Sequence, residues 1–332
     1  MSDAPANSSF KPWDLLCSKW VVLLALLLLI GGFALQLWLP NQRLRWAIQE
    51  IEAVGAEVVV EFEPVGPSWL RDLVGNEAMR AFDEPSVASI EAMPQFGDEA
   101  LRLLPGLANL EELDLSETQV SDEGLKHLAG LIQLRRLYLS DTQVSDEGLR
   151  HLAGLTKLEL LGLYNTKVGD EGLRHLAGLT KLQGLALDDT HVSDEGLIHL
   201  AGLAQLNNLV LNGTDVSNEG LQHLAGLTKL KILWLGNTPV NDEGLKHLAG
   251  LSTLQRLQLD NTQISDEGLK HLAGLKTLGS LRLNGTQVSD DGLKHLVGLA
   301  ELGSVDIRGT RVSDAGVASF RRALPDCYLQ TD

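Results

Sequence analysis

The sequence predicts an α/β solenoid, a stack of short parallel strands and short helices, preceded by one transmembrane helix. Two observations lead to this prediction. A unit of 24 residues recurs nine times along most of the chain. Near the N-terminus, an apolar run of 20 residues is long enough to cross a bilayer.

The repeat is visible as columns of identical residues. Threonine recurs every 24 residues from Thr118 to Thr310, glycine from Gly124 to Gly316, and histidine from His127 to His295. The unit reads LxxLxLxxTxVSDEGLKHLAGL, and its first copy spans Leu110–Leu131. Such periodicity is typical of proteins in which each unit packs only against its neighbours.

Each unit divides into a strand and a helix. Leu113-Asp114-Leu115 alternates apolar and polar residues, as a short strand does. Ser121 or Asp122 then provides an N-cap, and Gly130 is expected to end the helix. One strand and one short helix cannot bury their apolar faces alone, so stacked copies are expected to share a leucine core beside a parallel sheet.

The LxxLxL core followed by threonine resembles the leucine-rich-repeat family, in which many members carry asparagine at the threonine position. The TxVSDEGL continuation is similar to the F-box-type and bacterial GALA-type subclass, and most similar to the membrane-anchored proteins of planctomycete-type bacteria. The resemblance covers about 107–329. It implies a curved leucine-rich-repeat solenoid, a horseshoe with parallel strands on the concave face and helices on the convex face. It also implies binding of a protein or peptide ligand through the concave face.

The predicted domains follow from these patterns. Residues 1–19 form a short cytoplasmic leader, 20–39 the anchor, 41–106 an N-terminal cap, 107–319 the nine repeats and 320–332 a C-terminal cap. Within the N-terminal cap, Ala47–Val54 is predicted helical, Glu57–Phe62 extended, and Val87–Ala92 a degenerate repeat strand. No F-box is recognisable in residues 41–106, which weakens the analogy with ubiquitin-ligase receptors.

The apolar run Trp20–Leu39 contains Gln36 as its one strongly polar residue and carries a tryptophan near each end. At 1.5 Å per residue it spans about 30 Å, the thickness of a bilayer core. A cleavable signal peptide is an alternative, because Gly32-Phe33-Ala34 offers a small-x-small site. The flanking lysines and arginines are balanced, and a short leader with a large C-terminal body favours a cytoplasmic N-terminus and an extracytoplasmic repeat domain.

Charge and composition exclude some functions. The net charge of −17 argues against nucleic-acid binding, which requires an excess of cations. Most units carry serine, aspartate and histidine, but a catalytic triad is needed once rather than in repeat after repeat. We therefore expect no enzyme and no cofactor.

Two polar columns have competing interpretations. The histidines could bind a metal, but a straight file of imidazoles does not converge on one point, so a structural role at the helix ends is preferred. The Asp122/Glu123 column could bind calcium, but Asp122 lies four residues before Lys126, which favours local ion pairs. Asn212-Gly213-Thr214 and Asn284-Gly285-Thr286 match the glycosylation pattern, but the repeat's own turn accounts for them.

Specificity is expected at the outward strand positions, which the leucine core leaves free to vary. Exposed apolar and aromatic residues there mark recognition sites. The predicted ligand-binding residues are Arg136, Tyr138, Leu160, Tyr164, Val210, Ile232, Trp234, Arg256 and Arg282. The predicted function is a non-enzymatic, membrane-anchored recognition or scaffold protein; the alternatives are a ubiquitin-ligase substrate receptor, or a secreted effector if the N-terminal segment is cleaved.

Overall fold

A computed structural model of the chain describes residues 45–63, 84–107 and 109–332. These residues fall into two compact units. Residues 45–48, 61–63 and 84–86 belong to the first, and the remainder, including every repeat, belong to the second. The predicted anchor Trp20–Leu39 lies outside the described residues, among which no helix is long and apolar enough to cross a membrane.

The described strands form one sheet whose spatial order follows the chain order from β1 to β12. All register pairs from β2 to β12 are parallel. From β3 onward each joins residues one repeat apart, such as Leu113 with Leu137, whereas β2 pairs with β3 at an offset one residue shorter. The strands are β1 (Ala56–Glu63), β2 (Glu84–Ala92), β3 (Glu112–Asp114), β4 (Arg136–Tyr138), β5 (Leu160–Gly162), β6 (Gly184–Ala186), β7 (Asn208–Val210), β8 (Ile232–Trp234), β9 (Arg256–Gln258), β10 (Ser280–Arg282), β11 (Ser304–Asp306) and β12 (Tyr328–Gln330). The predicted leucine-rich-repeat solenoid with parallel strands and short helices is the observed fold.

A helical segment follows each strand from β2 to β11. The α-helices are α1 (45–53), α2 (Asp98–Leu101), α3 (Asp122–Leu125), α4 (Asp146–Leu149), α5 (Asp170–Leu176), α6 (Asp194–Leu197), α7 (Asn218–Leu221), α8 (Asp242–Leu248), α9 (Asp266–Leu269), α10 (Asp290–Leu296) and α11 (Asp314–Ala323). Short 3₁₀ segments are Leu104–Gly106, Lys126–Leu128, Arg150–Leu152, Ile198–Leu200, Gln222–Leu224 and Lys270–Leu272.

The prediction that Gly130 is the C-cap of its helix is wrong. The α-helical turn of that repeat ends at Leu125, the 3₁₀ segment ends at Leu128, and Ala129 is the C-cap residue. Gly130 does not adopt a positive φ, and a β-carbon there would meet no atom within 4 Å. The tight 3₁₀ geometry already turns the chain, so the position does not need glycine's freedom.

The core lies between the sheet and the helices. In the first repeat Leu113, Leu115, Leu125 and Leu128 are fully buried, and the same positions are buried in the following repeats except at Val317 in the last one. Thr118 is buried as well, and its hydroxyl donates to the carbonyl oxygen of Leu115 at 2.6 Å. This internal hydrogen bond explains the threonine column, because a buried hydroxyl without a partner would destabilise the fold.

The residue before each of these threonines occupies the left-handed region of backbone space. The set, which shares φ values between 50° and 67°, is Glu117, Asp141, Asn165, Asp189, Gly213, Asn237, Asn261, Gly285 and Gly309. Glycine, asparagine and aspartate are the residues that tolerate this conformation best. The Asn-Gly-Thr sequences therefore reflect the turn that every repeat makes after its strand.

The aspartate column joins successive repeats. The Asp122 carboxylate accepts the backbone N–H of Ser145 at 2.7 Å and the Ser145 hydroxyl at 2.6 Å. The same two bonds occur in Asp98–Ser121, Asp170–Ser193, Asp194–Ser217, Asp242–Ser265, Asp266–Ser289 and Asp290–Ser313. Two junctions keep only the backbone bond, Asp146–Gly169 and Asn218–Asn241.

The predicted pairing of Asp122 with Lys126 is therefore wrong. Lys126 pairs instead with Glu123, three residues before it, at 2.6 Å. Equivalent i, i+3 pairs are Glu99–Arg102, Glu147–Arg150, Glu171–Arg174, Glu243–Lys246, Glu267–Lys270 and Asp291–Lys294. The aspartate satisfies donors of the next repeat, whereas the exposed glutamate is free to pair along its own helical turn.

Candidate binding surface

The outward side chains of β3 to β11 share one face of the sheet, which we call the strand face. The parallel register aligns the first residue of every strand in one column and the third residue in another. The middle residue of each strand is buried toward the helices. The strand face is thus the side on which ligand-specific residues can vary without disturbing the leucine core.

Trp234 is the most exposed large apolar side chain of the strands β3 to β11, with 37% of its surface accessible. Ile232 occupies the same strand two residues earlier and is half-buried. In register, Trp234 lies between Val210 on β7 and Gln258 on β9. An indole held partly open among β-branched neighbours is suited to cover an apolar side chain of a partner.

Two of the predicted binding residues occupy other environments than expected. Val210 is only 8% accessible, because it lies between Ala186 and Trp234 in register. Tyr164 lies two residues beyond the end of β5, where the outward strand position is Gly162. Tyr164 is nevertheless 41% accessible. Val210 therefore supports the indole more than it meets solvent, and Tyr164 stands at the edge of the strand face.

Two glycines shape the surface near the first repeats. A β-carbon on Gly162 would come within 3.2 Å of the Tyr138 ring, and a β-carbon on Gly184 would clash with the Leu160 side chain. Tyr138 and Leu160 therefore lean over glycine backbone on the neighbouring strands. This arrangement was not anticipated, although glycine at an outward strand position is a signal of close approach by another group.

The arginines of the strand face differ in their partners. Arg136 pairs with Glu112 at 2.6 Å, and Arg282 pairs with Asp260 at 2.8 Å. Arg308, just beyond β11, pairs with Asp306 at 2.7 Å. Arg256 is exposed and forms no ion pair with any residue that the structure describes. Among the predicted binding arginines it is the one with an uncommitted charge.

Burial changes the titration of several groups at this surface. Desolvation raises the pKa of the Tyr138 hydroxyl, and the neighbouring Glu112 carboxylate adds to the effect. Desolvation also raises the pKa of Asp188 and of Asp260, against opposing hydrogen bonds from Asn212 and Asn284. These carboxylates lie at the edge of the strand face, where covering by a ligand would make their charged forms still less favourable.

A shallow cavity of about 310 Å³ opens near the first repeat, lined by four carboxylates: Glu57, Glu91, Asp114 and Glu117. It makes the N-terminal end of the strand face acidic, whereas Arg256, Arg282 and Arg308 lie toward the other end. Aspartates pair with Arg282 and Arg308, so Arg256 is the one of these three arginines that has no ion-pair partner among the described residues.

The polar columns show no arrangement for catalysis or metal binding within the described ranges. The serine hydroxyls donate to aspartates of the preceding repeat and not to histidine. No group of three or more His, Cys, Asp or Glu side chains in the part of the chain that the structure describes could hold a metal ion. The His151 pKa is lowered by desolvation and by the adjacent Arg150 charge.

The first glycosylation-like sequence is engaged by the fold. Asn212 Nδ2 donates to Asp188 Oδ1 at 2.6 Å, and Asn212 Oδ1 accepts the Gly236 N–H at 2.7 Å. A glycan on Asn212 would break the bond to Asp188. Asn212 is therefore occupied as a link between three repeats.

Comparisons with known proteins agree with this architecture. The family model described as Leucine Rich repeat matches residues 106–129, 133–153 and 250–273. These three segments therefore have the sequence pattern of leucine-rich repeats. A comparison with curated protein sequences finds no match.

Solved structures align with this chain at low sequence identity. The mouse RP105/MD-1 complex aligns with a TM-score of 0.55 and 21% identity over 69% of this chain and 39% of that chain. An internalin (inlF) from Listeria monocytogenes aligns with a TM-score of 0.46 and 21% identity over 80% of this chain and 93% of its own. The ectodomain of the Arabidopsis thaliana receptor kinase GASSHO1/SCHENGEN3, solved with CASPARIAN STRIP INTEGRITY FACTOR 2, aligns with a TM-score of 0.49 and 19% identity over 68% of this chain and 27% of its own.

Proposed function

We propose that this protein is a non-enzymatic recognition or scaffold protein that binds a protein or peptide ligand through the strand face. The observation that carries the proposal is the partly open Trp234 indole on a face that the leucine core does not use. Ile232 adds apolar surface on the same strand. Leu160 and Tyr164 form a second apolar region at β5, three strands away. Exposed apolar side chains beside charged groups are typical of protein interaction sites.

The TxVSDEGL units resemble those of the anchored bacterial leucine-rich-repeat proteins, in which the repeats form the binding domain. In this proposal the protein binds its ligand without catalysing a reaction, and it requires no cofactor. The mouse RP105/MD-1 complex has a similar fold, and the association of two proteins in it is consistent with this role.

A capture experiment tests the binding surface. Full-length protein and Trp234→Ala are used as bait, and retained partners are quantified by mass spectrometry. A buried interface tryptophan often contributes 2 kcal/mol or more, so the variant should lose at least tenfold in partner capture, which corresponds to about 1.4 kcal/mol. Tyr164→Ala should act in the same direction.

Lys126→Ala is the matched control, because Lys126 lies on the helix side of the first repeat and pairs with Glu123. It should leave capture unchanged. If Lys126→Ala abolishes capture and Trp234→Ala does not, the helix side is the binding surface and the proposal is wrong.

The proposal includes a single membrane anchor at residues 20–39, a cytoplasmic N-terminus and an extracytoplasmic repeat domain. The support is the apolar run with tryptophan near both ends. Full-length protein should remain in the membrane fraction after a carbonate wash, and external protease should reach the repeats of intact cells. A mature N-terminus at Leu35 would show instead that the segment is a cleaved signal peptide.

A further inference from the structure

We propose that the strand face selects an extended peptide segment in which a large apolar side chain and an acidic side chain are separated by one residue. The apolar side chain packs on Trp234 and Ile232, and the carboxylate pairs with Arg256. This inference rests on the proposed peptide-binding function of the same face and specifies the ligand that the face prefers.

The geometry of β8 and β9 sets the spacing. Trp234 is the third residue of β8, and Arg256 is the first residue of the adjacent strand β9, in register with Ile232. With strands about 4.8 Å apart and a rise of about 3.3 Å per residue, the two Cα atoms are about 8 Å apart. In an extended peptide, side chains two residues apart project from the same face and are separated by about 6.7 Å. Neighbouring side chains project oppositely and could not reach both groups.

The charge of Arg256 is available to a ligand. It has no ion-pair partner among the residues that the structure describes, whereas Arg282 and Arg308 are held by aspartates. Beyond Arg256 the first-residue column becomes small, with Ser280 and Ser304 joined hydroxyl to hydroxyl at 2.9 Å. The small side chains leave space beside the guanidinium.

That space is a cavity of about 640 Å³ lined by Arg256, Ser280, Ser304 and the glycines at 279 and 303. Glu301 also lines it but is not within ion-pair distance of Arg256. The volume admits a carboxylate side chain with its flanking backbone, and the Ser280 hydroxyl, which accepts from Ser304, can donate to a carboxylate oxygen.

The charge pattern of the strand face favours this placement over others. The N-terminal end carries Glu57, Glu91, Asp114 and Glu117, which would repel an acidic ligand segment. The net charge of −17 also opposes acidic ligands at long range. At physiological ionic strength, however, the Debye length is about 8 Å, so the pairing at Arg256 outweighs distant charges.

A peptide selection tests the inference. Random twelve-residue peptides displayed on phage are selected on the full-length protein in detergent micelles, and a synthetic copy of the most enriched peptide is titrated. The wild-type protein should enrich peptides with Asp or Glu two residues from Leu, Ile, Phe or Trp. Arg256→Glu and Arg256→Gln should each weaken the synthetic peptide at least tenfold, and replacing its acidic residue by lysine should restore binding to Arg256→Glu.

Arg174→Glu is the matched control, because it changes net charge equally on a helix, where Arg174 pairs with Glu171. It should change affinity less than twofold. Peptides that require Trp234 but lack the acidic residue, or that ignore Arg256→Glu, overturn this inference and leave the proposed function standing. If no selected peptide loses affinity for Trp234→Ala, the proposed peptide-binding role of this face fails as well.

Discussion

The carboxylate of Asp170 occupies the space that a side chain on Gly196 would need. A β-carbon on Gly196 would lie 2.5 Å from Asp170 Oδ1 and 3.1 Å from Leu173. Asp170 cannot easily move, because it accepts the N–H of Ser193 at 2.8 Å and its hydroxyl at 2.7 Å. The aspartate, serine and glycine columns therefore meet in a single contact between successive repeats, in which the aspartate accepts from the serine and fills the space beside the glycine.

Gly196→Ala should destabilise the protein by about 1–3 kcal/mol in urea unfolding. The added methyl group forces the carboxylate from its donors, and overpacking of this kind exceeds the gain of up to about 1 kcal/mol in helix propensity. Gly202→Ala is the control, because a β-carbon there meets nothing within 4 Å. A Gly196→Ala protein as stable as the Gly202→Ala protein would show that the glycine is not required by packing.

Asp122→Ala should lower the free energy of unfolding by about 1–3 kcal/mol, because two donors of Ser145 lose their acceptor. Glu123→Ala and Lys126→Ala should each have a much smaller effect, since they break one exposed ion pair. If Lys126→Ala is as costly as Asp122→Ala, the i, i+4 pairing expected from sequence is the correct one. Chemical denaturation of the three variants makes the comparison.

Asp188→Asn should be at least as thermally stable as the wild type at pH 7. Burial raises the pKa of Asp188, so folding favours its neutral form and the charged form costs stability above that pKa. Asparagine stays neutral and can still accept from Asn212 Nδ2. The advantage of Asp188→Asn should shrink as the pH falls through the raised pKa. An Asp188→Asn protein that melts well below the wild type at pH 7 contradicts this reading.

Acidification should destabilise the repeat that contains His151. Burial and the charges of Arg150 and Lys126 lower the His151 pKa, against smaller opposing effects of Glu123 and Asp122. The folded state therefore favours neutral imidazole, and stability is lost as the pH falls below the ordinary histidine range. Between neutral pH and pH 5, the melting temperature of His151→Gln should fall less than that of the wild type. Addition of EDTA at neutral pH should leave the melting temperature unchanged, and a large decrease would point to a bound metal instead.

Trp234→Ala should cost about 1–2 kcal/mol of stability, more than a fully exposed residue but less than a core tryptophan. Neighbouring groups cover almost two thirds of its surface, because 37% is accessible. Thermal unfolding of the variant measures this cost and shows whether lost capture reflects lost binding or lost folding. A cost above 3 kcal/mol would mean that the indole belongs to the core.

The strands and the core could be predicted from the sequence because their signals are local. Leu113 and Leu115 alternate with Asp114 within three residues, and the same spacing recurs in every unit. The role of Asp122 could not be predicted in this way, since its partner Ser145 is 23 residues away. The period itself contained one clue, since Asn218 and Asn241 depart together from the aspartate and serine columns.

The candidate surface was only partly predictable for a similar reason. Alternation identifies Trp234 and Ile232 as outward residues, but it does not show that Val210 is closed in by its neighbours or that Tyr164 lies past the strand end. Nor does alternation show which of the predicted binding arginines lacks an ion-pair partner among the described residues. These properties depend on side chains from adjacent repeats, whose contacts arise only when the units stack.

The aspartate-to-serine contact also makes the two ends of the stack unequal. Each acceptor belongs to the earlier repeat and each donor to the later one. A chain emerging from the ribosome therefore presents every new repeat to a carboxylate that is already in place. Loss of repeats from the C-terminal side leaves a carboxylate facing water, which solvates it well, whereas loss from the N-terminal side strips acceptors from a helix start. The protein should accordingly tolerate shortening at its C-terminal end better than at the start of the repeats.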